Sequence, residues 1–98
     1  MDEEIKIDFF LLKKTAIILR ALNHQLRQHI FKLLEQQAKM TVSEIYAYLK
    51  VEQSVASQHL AILRRAGIVK TEREGKFVFY KLNKERIAQI DRAIKQLL

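Results

Sequence analysis

The chain has no cysteine, no proline and only two glycines in its 98 residues. Without cysteine there is no disulfide framework, no thiolate nucleophile and no cysteine metal site. Thiol-based redox sensing is excluded for the same reason. No apolar run approaches the roughly 18 residues of a membrane span. There is no acid pair, no nucleophile beside a base and no phosphate loop, and two isolated glycines cannot cradle a nucleotide, so the chain does not read as an enzyme. The acidic start Met-Asp-Glu-Glu is unlike the basic start of a secretory signal, and the expected location is the cytoplasm. In so sparing a sequence, Gly67 and Gly75 each mark a backbone position that needs positive φ.

What is present fits one domain, residues 1–98. Hydrophobic residues make up 49% of the chain, enough for a compact core but marginal for a lone chain of this size, so oligomerisation would help it. The formal charge is +7, and it is unevenly spread. Residues 1–49 carry seven basic and six acidic side chains, so residues 50–98 hold nearly all the excess. Such asymmetry points to a polyanionic partner. It lies away from any single long amphipathic helix, which argues against a membrane surface.

Apolar spacing predicts a first helix over residues 3–22. Ile5, Phe9, Leu12, Ala16 and Leu19 form one stripe, widened by Ile7, Phe10, Leu11, Ile17, Ile18 and Leu22. A helix this apolar must be covered on more than one side, and a subunit interface is the expected cover. Asn23 is the expected cap of a second helix, 24–37, with Leu26, Ile30, Phe31, Leu33 and Leu34 inward. Thr41-Val-Ser-Glu44 is a capping box that opens a short third helix, with Val42, Ile45, Tyr46 and Leu49 facing the core. Residues 50–52 form the turn into a fourth helix.

That fourth helix has two unlike faces. Val55, Ala56, Leu60, Ile62, Leu63 and Ala66 fall on one arc. Gln53, Ser54, Ser57, Gln58, Ala61, Arg64 and Arg65 fall on the other, which has no carboxylate. Small hydroxyl and amide side chains ending in two arginines suit a helix that enters a DNA major groove. The backbone can come close, Gln and Ser reach base edges, and Arg reaches phosphate or guanine. Two short helices joined by a tight turn make a helix-turn-helix candidate, about residues 41–66.

Gly67 should end this helix in a left-handed cap. Residues 68–74 and 77–82 then read as a β-hairpin turning at Gly75-Lys76, a wing over about residues 68–82 with Arg73 and Lys76 at its tip. Asn83 is the expected cap of a last helix, 84–98. Its narrow stripe of Ile87, Ile90, Ile94 and Leu97 suits pairing with another helix, the first helix of the same chain or of a second copy.

This order of elements resembles the ArsR/SmtB family of bacterial winged-helix repressors. Residues 21–34 look like the family's second-helix signature. Ser57-Gln-His-Leu60, Ala66-Gly-Ile-Val69 and Glu74-Gly-Lys76 carry the rest of the likeness, which spans about residues 15–95. The resemblance implies a mainly α fold with a small β-hairpin: five helices and a wing, paired as a homodimer through the first and last helices. It implies an inverted-repeat operator in double-stranded DNA, read by Gln53, Ser54, Ser57 and Gln58. His59 matches the same motif, although the helical wheel sets it beside the apolar arc.

The departures from the family pattern bear on regulation. Gln25 stands where the family usually has proline, and Glu52 where a serine usually caps the recognition helix. The family's cysteine pair would fall around residues 50–53 and is missing. The last helix has Asp91 but no histidine, so the usual metal sites are absent. His24 and His29 are five apart, off the same-face spacing of a helical chelate. No metal or other cofactor is expected. The effector is left open between a small organic ligand and a partner protein. The leading function is a dimeric DNA-binding regulator, expected to be a repressor. The alternative is a winged-helix adaptor or antirepressor whose basic face meets an acidic protein.

Overall fold

The computed structural model describes residues 7–97, with Leu97 by its backbone alone. Its elements in chain order are α1 (Phe9–Leu22), α2 (Gln25–Gln37), β1 (Met40–Thr41), α3 (Val42–Leu49), α4 (Gln53–Arg65), β2 (Val69–Glu74), β3 (Phe77–Leu82) and α5 (Lys84–Leu97). Among the described residues, five helices accompany one small antiparallel sheet in the order β1-β3-β2.

Several boundaries follow from capping chemistry. The first helix was expected from residue 3, but it starts at Phe9, because Asp8 turns extended and its carboxylate accepts from the Leu11 amide at 3.0 Å. Ile5 and the start of that expected helix lie outside the described residues. Asn23 does not cap α2. It closes α1, and His24 takes the N-cap position, where its Nδ1 accepts from the Leu26 amide at 3.1 Å. The capping box at Thr41 and Glu44 is present in both directions.

At the end of α4, the Ile68 amide donates to the Leu63 carbonyl and the Gly67 amide to the Arg64 carbonyl, each at 3.0 Å. This paired closure needs a left-handed residue between helix and strand, and Gly67 supplies it at φ 78. Gly75 has φ 60 at the wing turn. Among the described residues, two with positive φ are not glycines: Lys50, left-handed at φ 57, and Ala38 at φ 65, each just beyond a helix end. The expectation that glycines mark positive φ thus holds for both glycines and misses two other positions.

The hairpin pairs Val69 with Leu82 through to Glu74 with Phe77. It gains a third strand that the sequence reading did not contain, Met40 opposite Tyr80 and Thr41 opposite Phe79. Thr41 is therefore both a sheet residue and the cap of α3, which ties the wing to the start of the helix-turn-helix.

One contiguous core gathers Ile18, Ile30, Leu33, Leu34, Ile45, Leu60, Leu63, Ile68 and Val69. In α1 the buried residues are Thr15, Ile18 and Ala21, and the Thr15 hydroxyl donates to the Leu11 carbonyl at 2.8 Å. The stripe Phe9, Leu12 and Leu19 points away from this core, at 70%, 41% and 48% exposure. In α5, Ile90 is buried within its own chain, and Ile87 and Ile94 pack partly against the same core. Much of the stripe assigned to a subunit interface is thus already used against α1 and the core. The Leu97 side chain lies outside the described residues. Among the described residues, no helix is long and apolar enough to cross a membrane.

Candidate nucleic-acid interface

Ala56, Leu60 and Leu63 are fully buried along one side of α4 and fix its rotation about its axis. That rotation leaves Gln53, Ser54, Ser57, Gln58, Ala61, Arg64 and Arg65 exposed together on the opposite side. Val55 and Ile62 are half-buried at the edges. The face contains no carboxylate. Glu52 precedes it, exposed, and its side chain makes no cap hydrogen bond, so the first amides of α4 receive none from this residue. Arg64 and Arg65 fall in the last turn, where cations complement the helix dipole.

His59 does not share the exposed face. It is half-buried, with its Nδ1 3.2 Å from Nη1 of Arg27 and its ring centroid 4.5 Å from that of His24. The guanidinium can only donate, so Nδ1 accepts and the neutral ring carries its proton on Nε2. Arg27 also donates to the Ala21 carbonyl. One guanidinium thus joins the α1–α2 junction to the helix that bears the candidate DNA face. The structure thus sets His59 between Arg27 and His24, at the edge of the exposed face of α4.

Burial holds the His59 imidazole below its ordinary value of 6.5, and the charges of His24 and Arg27 add to the effect. The unfolded chain therefore takes up this proton at higher pH than the folded one. Folding stability should decline as pH falls from about 6.5 to the depressed folded value, and this contribution should level off below it. Urea midpoints measured from pH 7.5 to 5 should show that decline. In His59→Gln the slope should flatten, and an unchanged slope would show that other groups cause it.

At the wing, Arg73 and Lys76 are exposed near the tip, and neither forms an ion pair among the described residues. The Lys76 ammonium lies 5.7 Å from the centre of the Phe77 ring. Both wing carboxylates are occupied: Glu74 by Lys39 at 2.6 Å and Glu72 by Lys81 at 3.3 Å. Lys39 escaped the sequence reading, since a 35-residue separation leaves no local signal. Among the described residues, no three metal-ligating side chains come together.

A helix-turn-helix whose second helix shows a polar, carboxylate-free face beside a basic-tipped hairpin defines a winged helix-turn-helix regulator. Residues 24–71 match the family model for bacterial regulatory proteins of the arsR family. The chain is 38% identical to an uncharacterised HTH-type transcriptional regulator of Methanocaldococcus jannaschii, over 87% of this chain and 96% of that one. It is also 38% identical to a biofilm growth-associated repressor of Agrobacterium fabrum, over 83% of this chain and 68% of that one. Among solved structures it resembles HlyU from Vibrio cholerae, with a TM-score of 0.70 and 35% identity over 87% of this chain and 92% of that one. It also resembles a homodimeric winged helix-turn-helix DNA-binding domain from Mycobacterium bovis, with a TM-score of 0.77 and 26% identity over 99% of this chain and 89% of that one. The chain belongs to the arsR family of DNA-binding transcriptional regulators.

Proposed function

We propose that the protein is a cytoplasmic, homodimeric repressor that binds an inverted-repeat operator, has no enzymatic activity and works without the family's usual metal sites. The whole chain acts as one winged unit. Gln53, Ser54, Ser57 and Gln58 read base edges in the major groove. Arg64 and Arg65 hold phosphates, and Arg73 and Lys76 at the wing tip meet the flanking backbone or minor groove. Two recognition helices carried by a two-fold dimer would enter successive major grooves about 34 Å apart. The observation that most supports this reading is the exposed, carboxylate-free face of α4 between Gln53 and Arg65.

The dimer forms through the exposed stripe of α1, Phe9, Leu12 and Leu19, with half-buried Ala16 among them. The outer edges of Ile87 and Ile94 on α5 extend it, and Ile90 supports them from the core. A homodimeric relative of similar fold supports this. An effector, whether a small organic ligand or a partner protein, would act by binding the two dimer geometries with different affinity.

Ser57→Ala combined with Gln58→Ala should weaken binding to the protein's selected duplex by about ten- to a hundred-fold, and binding to a scrambled duplex very little. Fluorescence anisotropy at fixed salt measures both. Unchanged affinity for the selected duplex would favour the adaptor reading, in which the basic face meets an acidic protein.

A further inference from the structure

The wing tip Arg73-Glu-Gly-Lys76 carries a carboxylate between its two cations. A free carboxylate there would repel the phosphates that Arg73 and Lys76 are placed to meet. The structure does not leave it free. The Lys39 ammonium donates to both Glu74 oxygens, at 2.7 and 2.6 Å, and sits 4.7 Å from the centre of the Phe79 ring. The Glu74 hydrogen bond also holds this ammonium above its ordinary value.

Lys39 is delivered to the wing by the backbone around it. Ala38 turns with a positive φ of 65, and the Lys39 amide donates to the Gln37 carbonyl at 2.7 Å. Met40 and Thr41 then pair with β3. The next link is the capping box, in which the Thr41 amide donates to Glu44 at 2.9 Å. Residues 38–44 thus run from the end of α2, across the wing, into the helix-turn-helix.

We propose that Lys39 is a positioning residue for DNA binding, which cancels the Glu74 charge and pins the wing tip to the body without itself touching DNA. The proposal rests on the wing meeting DNA, as in the function proposed above. It deepens that reading by making a residue outside both the helix-turn-helix and the hairpin set the wing's affinity. The ion pair is partly exposed, with side chains at 38% and 50%. Pairs of that kind add little to folding stability, so a stability role and a binding role separate cleanly.

The test is a double-mutant cycle on the full chain with Lys39→Met, Glu74→Gln and the double variant, read on the inverted repeat that the unmodified protein selects from a randomised duplex pool. Lys39→Met alone should weaken binding about ten-fold, with a melting temperature close to that of the unmodified chain. In the Glu74→Gln background the same change should cost less than about two-fold, because the carboxylate it exposes is gone. Equal losses in both backgrounds would make Lys39 a direct phosphate contact and overturn the proposal. No loss in either background would overturn it too. If the unmodified protein selects no sequence at all, the DNA reading fails and this inference falls with it. That outcome is distinguishable because it shows in the first arm, before any variant is made.

Discussion

Replacing Leu12 and Leu19 with glutamate should turn the protein into a folded monomer and lower its affinity for a two-half-site operator by about 10²- to 10⁴-fold. That range is the advantage of joining two binding events through one rigid body. Both side chains are nearly half exposed and absent from the core cluster, so the change spares the buried core of the chain. They lie seven residues apart on the α1 face that also carries Phe9, at 70% exposure. Exposed apolar patches of this kind on a soluble domain mark interaction surfaces. Two carboxylates brought against their own copies across a two-fold axis would add repulsion and desolvation cost. Sedimentation equilibrium gives the mass and circular dichroism the fold. A variant that stays dimeric while folded would move the interface off this helix. One that becomes monomeric yet binds the full operator unchanged would detach dimerisation from recognition.

Leu60→Ala should be among the most damaging single changes to the fold. Leu60 is fully buried, in the core between the helices of the helix-turn-helix and the rest of the bundle. Truncating it leaves a cavity and removes transfer energy, about 2–5 kcal/mol for a buried leucine. In a domain of this length each kcal/mol shifts the melting temperature by about 4–8 °C. The expected fall is therefore roughly 8–40 °C, and the free energy lost is a large share of the total stability of a small domain. Ala61→Ser, one residue along on the exposed face, should shift it by no more than about 2–4 °C. Differential scanning calorimetry on the pair decides the matter. A fall of less than about 5 °C for Leu60→Ala would mean that the core collapses around the loss, or that α4 is not held as described.

The two faces of α4 were legible because a helix repeats every 3.6 residues. Val55, Ala56, Leu60, Ile62, Leu63 and Ala66 share one covered arc, which leaves Gln53, Ser57, Gln58 and Arg64 on the exposed remainder. Gly67, Gly75 and the Thr41–Glu44 box were readable for a related reason: each satisfies a backbone requirement within a few residues. His59 was the harder case. Its place in the motif suggested DNA and its place on the wheel suggested packing, and the structure sets it half-buried against Arg27 and His24.

Local sequence alone determined the order of the helices, the wing, the charge excess toward the second half and the composition of the recognition face. All of these rest on interactions spanning a handful of residues. Tertiary structure alone decided where the ends of the chain pack, and which remote groups meet. Only the packed chain shows that Ile90 serves its own core while the Phe9, Leu12 and Leu19 stripe is left exposed, since in sequence either stripe could pack within the chain or across an interface. Only the packed chain brings Arg27 to His59 across 32 residues and Lys39 to Glu74 across 35. Such pairs have no periodicity to betray them. They exist because helix ends, left-handed turns and a two-residue strand carry distant backbone segments to the same place.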